Sequence, residues 1–418
     1  MDGKRLFYGW WIVAGCFLII AATAGIAFNS FPVSYKPLVD KFGFKMGDIS
    51  LTTALMALSA MLAAPVVGKL MKMVNVRGLM TVCGLIYSLG FILFSWSTTL
   101  THFYICSVLI GIGAAGTYLI PPSVLVTNWF EEKRGMALAV AVTGGGVGGM
   151  LFGPIMSSMI IHFGLSRTFL IFGIITAILI LPATLFIIRL NPEDMDLVPL
   201  GGSAADTNDV PIEEPGLTLR ESVKTLTFWL LCIVFLLNGI AIMGVQMHIP
   251  AYFEHIGYSA TFAAFIFAAV NGILILGKLG FGGLHDKFGT KVSMYILYCT
   301  PIIAVLLLFA ARIKLFAMLF ALCSGVSAVF MTLPIALWTA ELLGKKDFSV
   351  IFSVMQIFST IGVAIGSPLT GFIFDASGSY YPAWYLYLAI YVVSLVLAML
   401  AFSQRKTIYE YPNLDISA

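Results

Sequence analysis

The chain has 418 residues, of which 60% are hydrophobic and only 10% charged, with a formal net charge of +3. A soluble globular domain carries roughly 25% charged residues, so the composition excludes one and implies an integral membrane protein set in a lipid bilayer. The basic residues sit in short loops between apolar runs, and no nucleic-acid partner is expected from them.

No polar n-region followed by a short apolar segment and an A-x-A cleavage site appears, and the first apolar run continues far past signal-peptide length. At about 20 residues per spanning helix, twelve spans are expected, near 8–34, 49–71, 77–97, 101–128, 134–162, 166–189, 226–254, 259–284, 290–311, 314–342, 347–374 and 382–403. The expected fold class is therefore all-α, with two six-helix bundles at 1–190 and 225–418. Between them, 191–224 is a polar linker of Asp, Glu, Pro, Gly and Ser that cannot form a core. Its end, LTLRESVKTLTF, predicts a short interfacial helix. The six cysteines all fall inside apolar runs without CxxC or Cys/His spacing, which predicts neither a metal site nor a disulfide framework.

Lysine and arginine placement sets the expected orientation. If Lys4 and Arg5 lie inside, so do Lys69, Lys72, Arg77, Lys133, Arg134, Arg189, Arg220, Lys224, Lys287, Lys291, Lys345, Lys346, Arg405 and Lys406. The other side receives Lys36, Lys41, Lys45, Arg167, Arg312 and Lys314. The imbalance of 16 against 6 places both termini in the cytoplasm. A repeat at an offset of 214 residues relates the halves: Gly68 to Gly282, Arg77 to Lys291, Gly111 to Gly325, Gly148 to Gly362, Pro154 to Pro368 and Gly164 to Gly378. Six helices per half make the repeats parallel, an arrangement that puts a transport site near the midplane between them.

Residues 262–291, FAAFIFAAVNGILILGKLGFGGLHDKFGTK, hold the most informative signal. Lys278 lies well inside an apolar helix, where an ammonium costs roughly 2.5–3.5 kcal/mol on insertion scales. Asn271, Ile275, Lys278 and Gly282 recur at helical spacing and share one stripe. A lysine there either snorkels to the surface or meets an anion. The run Gly144 to Gly149, with Gly153 and Pro154, lacks the Lys-Ser/Thr of a phosphate loop and reads as helix packing with a kink.

The 6+6 plan and the GxLxDKxGxK hairpin (Gly282, Leu284, Asp286, Lys287, Gly289, Lys291) resemble the major facilitator superfamily. More narrowly, YGWWIVAG, NPEDMDLVPLGG, TLRESVKTLTFWLL and HIPAYFEHIGYSA resemble bacterial members of the monocarboxylate transporter and oxalate/formate antiporter families. That resemblance implies a cation on helix 8 for the substrate carboxylate, and Lys278 lies eight residues before Asp286. A second cation of the oxalate exchanger, on helix 11, corresponds to Gln356. One cation instead of two favours a monoanion. Animal relatives carry an aspartate one turn before their arginine; Leu274 stands there, which puts a carboxylate relay in doubt. His248 is the other candidate titrating side chain, unless it is a rim hydrogen-bonder, and Lys278 itself could deprotonate when buried.

Further lining candidates on the cavity helices are Asn29, Tyr118, Asn238, Gln246 and Asn271, each equally able to serve as interhelix glue. At the cytoplasmic mouth the repeat maps Lys72 onto Asp286 and Lys133 onto Asp347. The superfamily arrangement would make Lys72 with Asp347, and Asp286 with Lys133 or Arg134, latches of an inner gate, or else solvated loop charges. The resemblance implies a secondary transporter of small monocarboxylates in the inner membrane, acting as a monomer without cofactor, with the proton as coupling ion. Carboxylate exchange, drug export and non-transporting sensing are the alternatives. No enzymatic constellation is present.

Overall fold

The computed structural model describes residues 7–71, 73–195, 197–201, 216–344 and 346–404, with backbone alone at 119, 279, 282, 283 and 286. Lys72, the Asp286 side chain and the middle of the linker therefore lie outside the described residues. Among the described residues every regular element is helical, and extended pairing is limited to bridges of Phe130 with Leu200 and Gly216 with Gly344.

The spanning helices begin with α1 (Gly9–Ala27), α2 (Met46–Leu70) and α3 (Val76–Phe94). Next comes α4, which runs as Leu100–Ala114, a π-helical turn Ala115–Leu119 and Pro121–Trp129. The stretch Arg134–Pro182 divides at Gly164 (φ 75°, ψ 168°) into α5 (134–163) and α6 (165–182). After α7 (Leu226–Gln246), Ala260–Phe309 divides at Gly289 (φ 74°, ψ 174°) into α8 (260–288) and α9 (290–309). That backbone region is open almost only to glycine, so both glycines are what lets the chain reverse. The last three are α10 (Lys314–Ser327 and Leu333–Leu343, joined by Ala328–Met331), α11 (Phe348–Ser377) and α12 (Tyr381–Ser403). Among the described residues the spanning helices number the expected twelve.

Two spans are shorter than their apolar runs. The first ends at Ala27 and the chain continues as a 3-10 turn, Phe31–Ser34, and a separate short helix, Tyr35–Phe42. The seventh ends at Gln246, and Ile249–His255 forms its own helix. Pro32 and Pro250 remove backbone donors that would continue those helices, while Pro37 sits in the first turn of the short helix, where a missing donor is tolerated.

Contacts divide the chain into two compact units. One comprises Met1–Asn208 with Ile249–Ile275, the other Asp209–His248 with Leu276–Ala418. In the first, α1 lies along α5, and a Cβ at Gly144 or Gly148 would overlap the Phe17 or Ala21 carbonyl of α1. A phenyl cluster, Phe31 stacked 5.4 Å from Phe94 and tilted against Phe169 at 6.0 Å, ties the end of α1 to α3 and α6. In the second, α7 lies along α11, with Gly362 and Gly366 against the Leu236 and Ile240 carbonyls. Large apolar side chains such as Leu62 and Phe186, each 72% exposed, cover the outside. A water-facing surface would not tolerate that density of exposed apolar groups; a lipid-facing one requires it.

The linker is held at both ends. Leu200 donates to the Trp129 carbonyl (3.0 Å) and accepts from Glu131 and Glu132. Leu217 donates to the Leu343 carbonyl (2.9 Å). The expected interfacial helix is one turn, Leu219–Ser222, started by a capping box in which Thr218 and Glu221 satisfy each other's backbone donors.

Candidate functional site

The glycine run of α5 builds the polar interior of the first unit. Gly144, Gly145 and Gly148 face α1, while Gly146 faces Ile275 and Gly149 faces Asn29 and Asn271. Asn29 donates its amide to the Gly145 carbonyl (2.9 Å). A Cβ at Gly149 would lie 2.5 Å from Asn29 Cβ and 2.9 Å from Asn271 Cγ, so the two predicted asparagines meet over that glycine. Asn271 itself is buried and donates to the Phe267 carbonyl (2.9 Å). Tyr118 stands on the π turn of α4, its ring 5.9 Å from Phe28, the neighbour of Asn29. A π turn shifts the helical register locally, which is how side chains are commonly re-aimed at functional sites. The structure thus brings Asn29, Tyr118 and Asn271 into one neighbourhood.

In the second unit Lys278 is half-buried on α8. Gly277, one residue before it, packs against α10, its would-be Cβ 3.1 Å from Val329 and 3.3 Å from Val326. Lys278, about 100° further round the helix, has no hydrogen-bond or ion-pair partner among the described residues. Asn271 and Lys278 stand two turns apart on the same face of the one continuous helix. Gln356 on α11 is exposed.

The remaining predicted residues are engaged in packing. Asn238 is 1% exposed and donates to the Val234 carbonyl (2.8 Å), Tyr298 (3.2 Å) and Ser394 (2.6 Å), joining α7, α9 and α12. His248 is fully buried, with Nε2 2.9 Å from the Ser367 carbonyl and the ring 5.8 Å from Tyr380. Gln246 lines a one-water-sized space with Ser324, Ser327 and Tyr391. Of the gating residues, Arg134 donates to Thr127 (3.0 Å) and Lys133 adopts a left-handed backbone (φ 61°) at the start of α5. Asp347 accepts from the backbone N–H of Leu219 in the linker (2.8 Å).

One titratable group escapes a reading of the sequence. Glu254 lies on Ile249–His255, outside the spanning helices, and that short helix packs on Phe31–Ser34 and Tyr35–Phe42. Burial pushes its carboxyl up to about 7; Lys36 pulls it back and Asp40 pushes it further up. The signal available beforehand was an acid four residues after the helix-breaking Pro250.

Among the described residues, twelve apolar helices in two repeated halves, with a few polar side chains sequestered among them, define a multi-pass membrane protein. The family model described as the Major Facilitator Superfamily matches residues 16–345, and the chain belongs to that superfamily. Monocarboxylate transporter 12 of Mus musculus is 24% identical, with 98% of this chain and 89% of that protein covered. Monocarboxylate transporter 13 of Bos taurus is 22% identical, covering 89% of this chain and 84% of its own length. Among solved structures, the nucleoside transporter NupG matches with a TM-score of 0.75 at 13% identity over 95% of this chain and 99% of that one. A bacterial homolog of the human lysosomal transporter Spinster matches with a TM-score of 0.70 at 17% identity, over 98% of this chain and 99% of that one. At those identities the structural matches speak for the fold alone. The resemblance read from the hairpin and the flanking motifs is borne out.

Proposed function

We propose that the protein is a secondary active transporter of small monocarboxylates of the lactate, pyruvate or formate kind, coupled to protons and working by alternating access as a monomer. The observation that carries this reading is Lys278, a half-buried cation on an apolar helix with no carboxylate partner among the described residues. An ammonium so placed is stabilised by an anion that arrives and leaves. Lysine offers a point charge with three donors and no planar fork, which suits a small carboxylate of loosely defined shape. Gln356, neutral and exposed, adds no second charge and so favours a monoanion over a dianion. The relatives' name, monocarboxylate transporter, supports the same class.

The basic side of the chain faces the cytoplasm in this reading, with both termini there and the bilayer an inner membrane. Glu254 would accept the coupling proton on the opposite side, since its carboxyl titrates near neutral pH. Carboxylate exchange is the second reading, favoured because acidic side chains of the described helices fall near helix ends (Asp40, Asp48, Glu341, Asp375). The test is uptake of a labelled carboxylate panel into proteoliposomes, with and without an imposed pH gradient, comparing wild type with Lys278→Gln. Gradient-driven uptake abolished by the substitution supports symport. Uptake driven only by an internal carboxylate supports exchange. A Lys278→Gln protein that transports like wild type overturns the assignment.

A further inference from the structure

Where α3 begins and α6 has ended, two arginines converge on one atom. Arg77 donates Nε to the Ile188 carbonyl (2.8 Å) and Arg189 donates Nη1 to the same oxygen (2.9 Å). The two guanidinium groups are held side by side, and neither has an ion-pair partner among the described residues. They line a cleft of about 380 Å³ together with Asn75, Val76 and Asp194. Asp194 supplies one negative charge at the rim, but a carboxylate oxygen there accepts from the Asn191 backbone N–H (3.3 Å). Asn75 caps the start of α3 by accepting from the Arg77 backbone N–H (2.9 Å), so the positive end of the helix also points at the cleft.

Two like charges gathered around one carbonyl repel each other unless an anion neutralises them. Guanidinium N–H groups not used on Ile188 match the oxygens of a phosphate, which arginines grip bidentately. The rim indicates where that phosphate comes from. Val74, 47% exposed, lines the cleft, and exposed apolar side chains stand in the segments that supply its arginines: Met73 (69%) in the loop before α3, and Leu185 (47%) and Phe186 (72%) in the last turn before Arg189. A soluble anion has no use for that border, whereas acyl chains do. We propose that the cleft formed by Arg77 and Arg189 binds the phosphate of an anionic membrane phospholipid on the basic side of the bilayer. The leaflet rests on the orientation proposed above; the phosphate site does not.

The test is lipid binding by the whole purified protein, read by native mass spectrometry with phosphatidylglycerol or phosphatidylcholine as probe. Phosphatidylglycerol is expected to bind at least tenfold more tightly than phosphatidylcholine. Arg77→Gln with Arg189→Gln should remove that preference, and Asp194→Asn should strengthen it. Arg77→Lys with Arg189→Lys keeps both charges and should retain most of the preference, which separates loss of charge from loss of fold. Inorganic phosphate and glycerol 1-phosphate form the soluble arm, and at millimolar concentration they should compete only weakly. Full displacement of the lipid by inorganic phosphate would overturn the lipid source. An unchanged preference in the double glutamine variant would overturn the site. Carboxylate uptake is a separate readout, so failure here leaves the transport reading untouched.

Discussion

In the first half of the chain α5 lies against α1 through Gly148, whose would-be Cβ overlaps the Ala21 carbonyl; in the second half α11 lies against α7 through Gly362, whose would-be Cβ overlaps the Leu236 carbonyl. Gly148 and Gly362 are 214 residues apart. So are Gly164 and Gly378, which both take positive φ at helix reversals (75° and 67°). The repeat thus preserves the positions where backbone approaches backbone. It does not preserve the polar interior: the counterpart of Lys278 is Ala64, that of Gln356 is Val142, and those of Asn29 and Tyr118 are Met243 and Thr332. Packing demands are common to both halves, because each must bury helix against helix in lipid. On the proposed function, charge answers to the cargo, and a carboxylate with one negative end calls for one cation.

That asymmetry can be attacked directly. Lys278→Ala should lower carboxylate uptake by about 100-fold, the equivalent of losing one charge-assisted hydrogen bond worth about 3 kcal/mol. Adding Ala64→Lys should restore nothing. Recovery of uptake in the double variant would mean that the halves are electrostatically interchangeable. The glycine pair should behave in the opposite way, with matching effects. Gly148→Ala and Gly362→Ala each force a Cβ onto a carbonyl and should destabilise by about 1–3 kcal/mol, read as comparable falls in melting temperature in detergent. A large difference between them would break the equivalence of the two helix pairs.

The twelve helices, the glycine contacts and the odd lysine were legible in the sequence because each leaves a local mark: hydropathy, residue size, a charge in an apolar run. Asn29 and Asn271 were legible as polar side chains but not as neighbours, since their meeting over Gly149 joins segments more than 200 residues apart. Asn238 was legible as a polar side chain too, yet its donors go to Val234, Tyr298 and Ser394, partners that only the packing of α9 and α12 supplies. Glu254 was illegible for the same reason, because its burial is created by residues of the turn after α1. Its pH dependence follows from the direction of the shift. The folded protein holds a proton on Glu254 up to about pH 7, whereas an exposed carboxyl loses it near 4.5. Between those values the folded state binds more protons than the unfolded one, so stability falls as pH rises through that window and levels off above it. The melting temperature should decline from pH 5 to pH 8, and Glu254→Gln should flatten the decline. An equal slope in the variant would place the titration elsewhere.

The smallest effect concerns the linker, where the two halves can again be compared. Its first end pairs Leu200 with Phe130 and its second pairs Gly216 with Gly344, and positions 130 and 344 differ by the same 214 residues. Each half therefore offers the linker the same loop, the one that leads into α5 or α11. Three positions further on the chemistry differs: Lys133 in the first half, Asp347 in the second. Lysine cannot accept a hydrogen bond, and there the backbone N–H groups of Glu131 and Glu132 hold the linker instead. Asp347 does accept, from the Leu219 N–H at the start of the capped turn. Asp347→Ala should cost about 1 kcal/mol, the usual worth of such a cap, and hydrogen exchange at Leu219 should accelerate while Glu131 and Glu132 stay as protected as before. If uptake collapses with Leu219 protection intact, Asp347 acts through its charge at the mouth and not through the linker.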